Sequence, residues 1–329
     1  MNRVVVTGAS GHIGANLARE LLARGYRVAA LLRQSSLGLE GLDVERLQGD
    51  VLDLASLRRA FQGADTVYHL AAYISIRPKE RDRLFEINVE GTRNVLAACC
   101  AEGVDTLVHF SSIHALDMRP SGLAVTENTR LLEDGEGSDY DQSKAQADRL
   151  VRANDCATLS TRIIYPTAVI GPHDYHHSLT GQAIARMARG SLPMLIAGGF
   201  DWVDARDVAS GAINAAEKGA DGDRYILSGH YRGIAAMARE VHALGGAKPP
   251  RWNVSPGLAR PFAPLMIAWA GLRGEEPLYT KESLETLTCN RNVSHALAAE
   301  KLGYRSRPFL DSLRDTLSAA GYAKVPQVE

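Results

Sequence analysis

The stretch VVVTGASGHIGANLARELL, residues 4–22, decides the fold. A β-branched run leads into three glycines, Gly8, Gly11 and Gly14, and an apolar-periodic stretch follows. That order predicts a strand, a tight turn and a helix. Glycines at such offsets serve three ends: one allows a tight turn, one lets backbone N–H groups approach a pyrophosphate, and one lets helix and strand pack closely. A helix starting near His12 or Ile13 would aim its partial positive end at the phosphates. Gly8, Ser10, Gly11, His12, Ile13 and Gly14 are therefore candidates to face a dinucleotide.

Outward from this stretch, short apolar runs at 27–32, 44–48, 66–70, 106–110 and 159–164 alternate with helical patterns at 13–23, 54–61, 81–101 and 140–153. Near-continuous Val/Ile/Leu runs separated by helices indicate a parallel sheet covered on both faces. The expected fold class is α/β, a doubly wound parallel Rossmann-type sheet with a smaller, mostly helical C-terminal substrate lobe. Residues 1–170 would form the dinucleotide-binding domain, with 203–229 returning to it. Residues 171–202 and 230–329 would form the substrate lobe.

The bulk numbers remove several classes. A net charge of −1 offers no basic excess for a nucleic-acid backbone. An apolar fraction of 45% and a charged fraction of 23% suit a globular protein. Four cysteines, two of them adjacent and none in a CxxC spacing, suit a reducing cytoplasm. No signal peptide is expected ahead of the first strand, and the most apolar late stretch, 258–272, is too short and proline-broken to be expected to span a bilayer.

Other strand ends supply the rest of a dinucleotide site. Asp50, in LQGDVLD, could receive the adenine amino group while Val51 packs on the ring. Leu70, Ala71 and Ala72 close the fourth run with small residues that leave room for a cofactor. The second run ends in Leu31, Leu32 and Arg33 with no acid to bind ribose hydroxyls. Arg33 offers a planar fork for a 2′-phosphate, so NADP is expected ahead of NAD.

Catalytic residues are expected in SDYDQSKAQADRL, residues 138–150. Tyr140 and Lys144, four apart, share a helix face. A phenol ionises near pH 10, and a neighbouring ammonium favours the phenolate. Lys144 could do this and also hold the nicotinamide ribose. Ser112, preferred to Ser111 in HFSSIHAL, could hold a substrate oxygen within reach of Tyr140. His114 could touch substrate.

At this point the chain resembles an extended short-chain dehydrogenase/reductase of the NAD-dependent epimerase/dehydratase type. The carrying motifs are TGASGHIG (7–14), GD (49–50), HLAA (69–72), Asn88 in INVEGTRNVL, Ser112, Tyr140 and Lys144. YPTAVIGP (165–172), DWVDARDVA (201–209) and LGYRSRPF (302–309) extend it. The resemblance implies hydride transfer at nicotinamide with Ser112, Tyr140 and Lys144 as the catalytic set. It also implies Asn88 ordering the site, and Tyr165 and Pro166 on the nicotinamide side. It further implies a homodimer.

Within that family the chain lacks the aromatic–Asn pair of sugar-nucleotide members, having Tyr165-Pro166-Thr167 instead. It lacks the Asp-Glu pair of dehydratases, having Ile113 and His114. The pattern is similar to the dihydroflavonol reductase and 3β-hydroxysteroid dehydrogenase branch. The expected reaction is therefore ketone–alcohol interconversion on a cyclic, apolar small molecule. The alternatives are a sugar or nucleotide-sugar epimerase using NAD, and a non-catalytic NADP-sensing protein. GPHDYHH, with His173, His176 and His177, is read as a mobile loop rather than a metal site. PGLARPFAPLMIAWAGL (256–272) is read as lobe packing or a lid.

Overall fold

A computed structural model describes residues 2–34, 37–75, 80–120, 122–262, 266 and 280–322. Its centre is a seven-stranded sheet, parallel throughout. The strands in chain order are β1 (Arg3–Thr7), β2 (Arg27–Leu32), β3 (Glu45–Gln48), β4 (Thr66–His69), β5 (Thr106–Phe110), β6 (Ser160–Pro166) and, later, β10 (Asp223–Leu227). In space they run β10-β6-β5-β4-β1-β2-β3. The order therefore reverses between β1 and β4, and in open α/β sheets ligands bind at the carboxyl ends around such a switch point.

The alternation in β1 shows why the sheet is buried on both faces. Val4 and Val6 enter one apolar core with Leu17 and Leu21 of α1 (His12–Ala23) and Val208 and Ile213 of α7 (Ala205–Lys218). Val5 enters the opposite core with Phe61 of α2 (Leu54–Phe61) and Val95 of α4 (Gly91–Glu102). All three valines are fully buried, each contributing about 1.5–3 kcal/mol relative to exposure. A hydrophilic strand could not occupy that place.

The expected helix over 81–101 is interrupted. α3 (Arg81–Phe85) gives way to a π-helical turn, Glu86–Glu90, before α4 resumes. Such bulges insert an extra residue and are frequent at functional sites. Asn88 sits on this one.

The later part holds more sheet than its sequence suggested. β7 (Ala168–Ile170), β9 (Gly199–Asp204) and β11 (His230–Gly233) make a three-stranded sheet, and β8 (Leu195–Ile196) pairs with β12 (Asn253–Val254). α6 (Leu179–Arg189) and α8 (Ile234–Ala243) pack beside them around Ile184, Met187, Trp202, Met237 and Leu313. Arg307 fastens the C-terminal segment to α7, its Nε donating to Asp207 Oδ1 at 2.7 Å and its backbone N–H to Oδ2 at 2.8 Å. Among the described residues no helix is long and apolar enough to cross a membrane. Most of the 256–272 stretch read as packing or a lid lies outside the described residues.

Candidate active site

The glycine loop is shaped by close backbone approach. Gly8 has φ +71°, and a Cβ there would lie 2.6 Å from Ala71 N and 2.7 Å from Leu70 C. A Cβ on Gly14 would overlap the Gly8 carbonyl oxygen. Only glycine lets the ends of β1 and β4 meet here while α1 starts at once. Gly11 caps α1 without a side-chain bond, so the first N–H groups of the helix keep their capacity for an anion. This cradle fits a pyrophosphate.

A directed hydrogen-bond chain fixes the same corner. Ala71 N–H donates to Thr7 Oγ1 at 3.2 Å, and the Thr7 hydroxyl meets His69 Nδ1 at 2.8 Å. His69 Nε2 meets Thr92 Oγ1 at 3.0 Å, and Thr92 donates to Asn88 O at 2.7 Å. Since Thr92 spends its proton on a carbonyl, His69 must donate from Nε2 and accept at Nδ1. Burial holds this imidazole neutral, its pKa down at about 3, with the Lys144 charge acting in the same direction.

Not every loop residue turns its side chain to the cradle. His12 Nε2 lies 3.2 and 3.1 Å from the carbonyl oxygens of Gly171 and Pro172. Asn16 Nδ2 also donates to Pro172 O, at 2.9 Å. His12 therefore staples the loop helix to the chain leaving β7, and only its backbone remains for a phosphate. Burial lowers its pKa despite Asp174 nearby.

On the catalytic side, α5 (Asp139–Arg152) begins where it does because of a capping box. Ser138 Oγ accepts from Asp141 N at 3.2 Å, and Asp141 Oδ2 accepts from Ser138 N at 2.9 Å. That start sets the register putting Tyr140 and Lys144 on one face. Ser112 acts on the Tyr140 phenol in the direction that favours its ionised form. Ser112 Oγ also accepts the His114 backbone N–H at 3.2 Å. Burial, then Asp141, push the phenol up to about 12, against the effect of Ser112. Lys144 is not among the groups that lower it, contrary to the expectation from spacing.

Lys144 is buried, 4% exposed, and donates to the Phe110 carbonyl at 2.6 Å. Burial brings its pKa down to about 8, against the pull of Asp148 one turn on. Asn88 Nδ2 donates to Ser143 Oγ at 2.9 Å and Tyr73 O at 3.0 Å, and its Oδ1 accepts Tyr73 N–H at 2.7 Å. Ser143 in turn donates to Tyr140 O at 2.7 Å. Asn88 thus ties the loop after β4 to the catalytic face of α5. Sequence reasoning passed over Ser143 and Thr7. The signal for Ser143 was its place one residue before Lys144 on the Tyr140 turn.

The remaining candidates divide. Ala71 and Leu70 border the cradle, with Ala72 exposed beyond them. Asp50 Oδ1 accepts Leu52 N–H at 2.9 Å, forming its own turn, and Val51 is buried against the α2–α4 core. Arg33 is exposed where β2 ends, and Ser10 and Ile13 are partly exposed at the loop. Tyr165 points elsewhere: its hydroxyl accepts from Arg152 Nη2 at 2.7 Å beneath α5, in a core with Val151 and Ile226. Its side chain does not join Tyr140 and Lys144, and Pro166 beside it is buried. In the histidine loop, Asp174 caps Ser178 (2.9 Å to N, 2.7 Å to Oγ), and His173 Nδ1 meets Tyr175 Oη at 3.2 Å.

A doubly wound sheet, a glycine cradle at its switch point and a Ser, Tyr-x-x-x-Lys face mark an NAD(P)-dependent dehydrogenase/reductase of the extended short-chain type. The chain belongs to the NAD dependent epimerase/dehydratase family, whose model matches residues 4–228. It is 38% identical over 261 residues to sterol demethylase protein B of Methylococcus capsulatus, covering 79% of each chain. It is 33% identical over 325 residues to a putative dihydroflavonol 4-reductase of Synechocystis sp., covering 95% of this chain and 92% of that one. The crystal structure of gox2253 superposes with a TM-score of 0.84 at 31% identity, covering 97% of this chain and 98% of that one.

Proposed function

We propose that this chain reduces a ketone to a secondary alcohol with NADP as its preferred cofactor, on a cyclic, largely apolar substrate. The observation that carries this reading is the register of α5, which sets Tyr140 and Lys144 on one face, with Lys144 buried and donating to the Phe110 carbonyl where β5 ends just before Ser112. Ser112 holds the substrate oxygen through its hydroxyl. Tyr140, protonated at neutral pH, donates its phenolic proton to that oxygen as the carbon accepts hydride. A bound nicotinamide dinucleotide supplies the hydride. Lys144, its ammonium fixed on the Phe110 carbonyl, would hold the nicotinamide ribose. Asn88, through Ser143, keeps this face of α5 in place.

The substrate class draws on the relatives, whose names point to a sterol and a dihydroflavonol, both fused-ring molecules. The absence of the dehydratase carboxylate pair at Ile113 and His114 supports simple reduction over elimination. The test is a panel of sterol ketones, flavonoids, aliphatic ketones and sugar nucleotides, followed by nicotinamide absorbance. Turnover of a fused-ring ketone with NADPH is expected. Turnover confined to sugar nucleotides would overturn the reading in favour of an epimerase.

Two further results are expected. Arg33→Ala weakens NADPH by about 10-fold or more and NADH little, because a charge-assisted bond to a phosphate contributes about 1.5–3 kcal/mol. Equal loss of both, measured by fluorescence titration, would remove Arg33 from the site. Separately, NADPH affinity falls as pH rises through about 8, where Lys144 gives up its proton. A lowered lysine pKa means the charged form is present below that pH and lost above it. Lys144→Met flattens this dependence, and a wild-type profile flat to pH 10 would contradict the assignment.

A further inference from the structure

We propose that His109 and Ser111 bind internal water beneath α5, and that this water takes a second proton of the Lys144 ammonium. His109 is then a positioning residue for Lys144. Its link to the cofactor rests on the reading that Lys144 holds the ribose; the water site itself does not. His109 is 1% exposed, and neither of its ring nitrogens has a hydrogen-bond partner among the described residues. Ser111 is 5% exposed, and its hydroxyl has no partner either. Buried polar atoms are nearly always bonded, to protein or to ordered water, and a buried water needs about two to four polar partners.

Strand geometry sets these atoms beside the ammonium. His109 and Ser111 flank Phe110, so alternation turns both side chains to one face of β5. His109 stands level with Ile163 of β6, which packs with Val151 of α5, so that face is the one α5 covers. Ser111 N–H donates to Ile164 O of β6 at 2.9 Å. The carbonyl of that same peptide, Phe110 O, therefore turns the other way, toward β4. Lys144 Nζ donates to it at 2.6 Å, on the peptide that joins Phe110 to Ser111 and one residue from His109. His69 of β4 stands level with His109, with ring centroids 5.4 Å apart. Both His69 nitrogens are already taken, by Thr7 and Thr92, so His69 serves neither His109 nor the ammonium.

The ammonium needs what this place offers. A lysine has three N–H donors, and among the described residues Lys144 spends one, on Phe110 O. The charged and titratable groups facing it are Tyr140 and Asp148, one turn to either side on α5, with His69 on β4 and His109 on β5. Asp148 is paired with Arg152, which also binds the Tyr165 hydroxyl of β6. Burial holds both imidazoles neutral, with the Lys144 charge acting in the same direction on each. A neutral imidazole keeps one accepting nitrogen, and the Ser111 hydroxyl accepts as well. Water between them receives an ammonium proton on its oxygen and donates to His109 and Ser111. The buried charge is thereby solvated inside the core.

The test titrates Lys144 in the full chain without cofactor, by NMR of lysine isotopically labelled at Cε, its signal assigned by its loss in Lys144→Met. The wild-type midpoint is expected at about 8. His109→Phe keeps a ring and removes both nitrogens. It lowers the midpoint by about one pH unit, because the ammonium loses a bond that favours its charged form. Ser111→Ala lowers it less, and His109→Gln, which keeps a donor and an acceptor, leaves it near wild type. A high-resolution crystal structure of the wild type shows ordered water within hydrogen-bond distance of His109 and Lys144. An unmoved midpoint in both His109→Phe and Ser111→Ala would overturn the proposal. So would a crystal structure in which this place is dry or His109 bonds directly to Ser111. NADPH titration of the same variants tests the link to the cofactor: His109→Phe binds like wild type at about pH 6 and about fivefold more weakly at about pH 8. A moved midpoint with NADPH affinity unchanged at both would leave the water site standing and remove Lys144 from the ribose.

Discussion

Tyr140→Phe lowers turnover by about 10²–10⁴-fold, the usual worth of a positioned general acid, while NADPH affinity stays close to wild type. The substitution removes one oxygen and keeps the ring. Lys144 keeps its bond to the Phe110 carbonyl, and Ser143 still donates to the residue 140 carbonyl, because neither contact uses the phenol. Ser112 retains the His114 N–H and can still hold a substrate oxygen. What is lost is the proton. Steady-state kinetics on the best ketone of the panel, with NADPH binding measured alongside, separates the two effects. Turnover within about tenfold of wild type would place the proton source elsewhere, since general-acid removal costs more than that. Loss of cofactor affinity together with turnover would point to collapse of the α5 face instead.

The part of this site that could be read in the sequence is the part built from period and spacing. β1 to β6 fall within two residues of the predicted runs; the inner strands stand out because burial on both faces favours apolar residues, whereas the edge strand β3, ERLQ, is largely exposed. Tyr140 and Lys144 share a face because any helix puts i and i+4 there. The rest depends on contacts that no local pattern carries. Asn88 reaches Tyr73 and Ser143 only because a π turn interrupts an otherwise uniform helical pattern. Tyr165 was expected on the nicotinamide side, where the resemblance put it. A buried phenol needs a partner, and Arg152, itself held by Asp148 at 2.5 Å, supplies one beneath α5. β11 is half-buried along its length, and β9 carries Asp201 and Asp204 among its apolar residues, so their sequences do not stand out as strands.

Gly8→Ala should abolish measurable NADPH binding, and comparison with Gly25→Ala shows why. Both positions have left-handed backbone, φ +71° at Gly8 and +84° at Gly25. Adding a Cβ to either costs about 1–2 kcal/mol for that conformation alone. At Gly25 nothing lies within 4 Å of the new carbon, so strain is the whole effect. At Gly8 the new carbon falls 2.6 Å from Ala71 N and 2.9 Å from Ala71 Cα, and both are backbone atoms with no rotamer to change. Either the loop after β1 or the chain after β4 must move. Ala71 N–H is also the donor to Thr7 Oγ1, so moving it breaks the chain running through His69 and Thr92 to the Asn88 turn. The damage should therefore reach both the phosphate cradle and the catalytic face. Gly25→Ala lowers the melting temperature and leaves NADPH affinity unchanged, whereas Gly8→Ala lowers both. If the two variants lose stability equally and bind NADPH alike, the close approach of β1 and β4 is not what shapes the cradle.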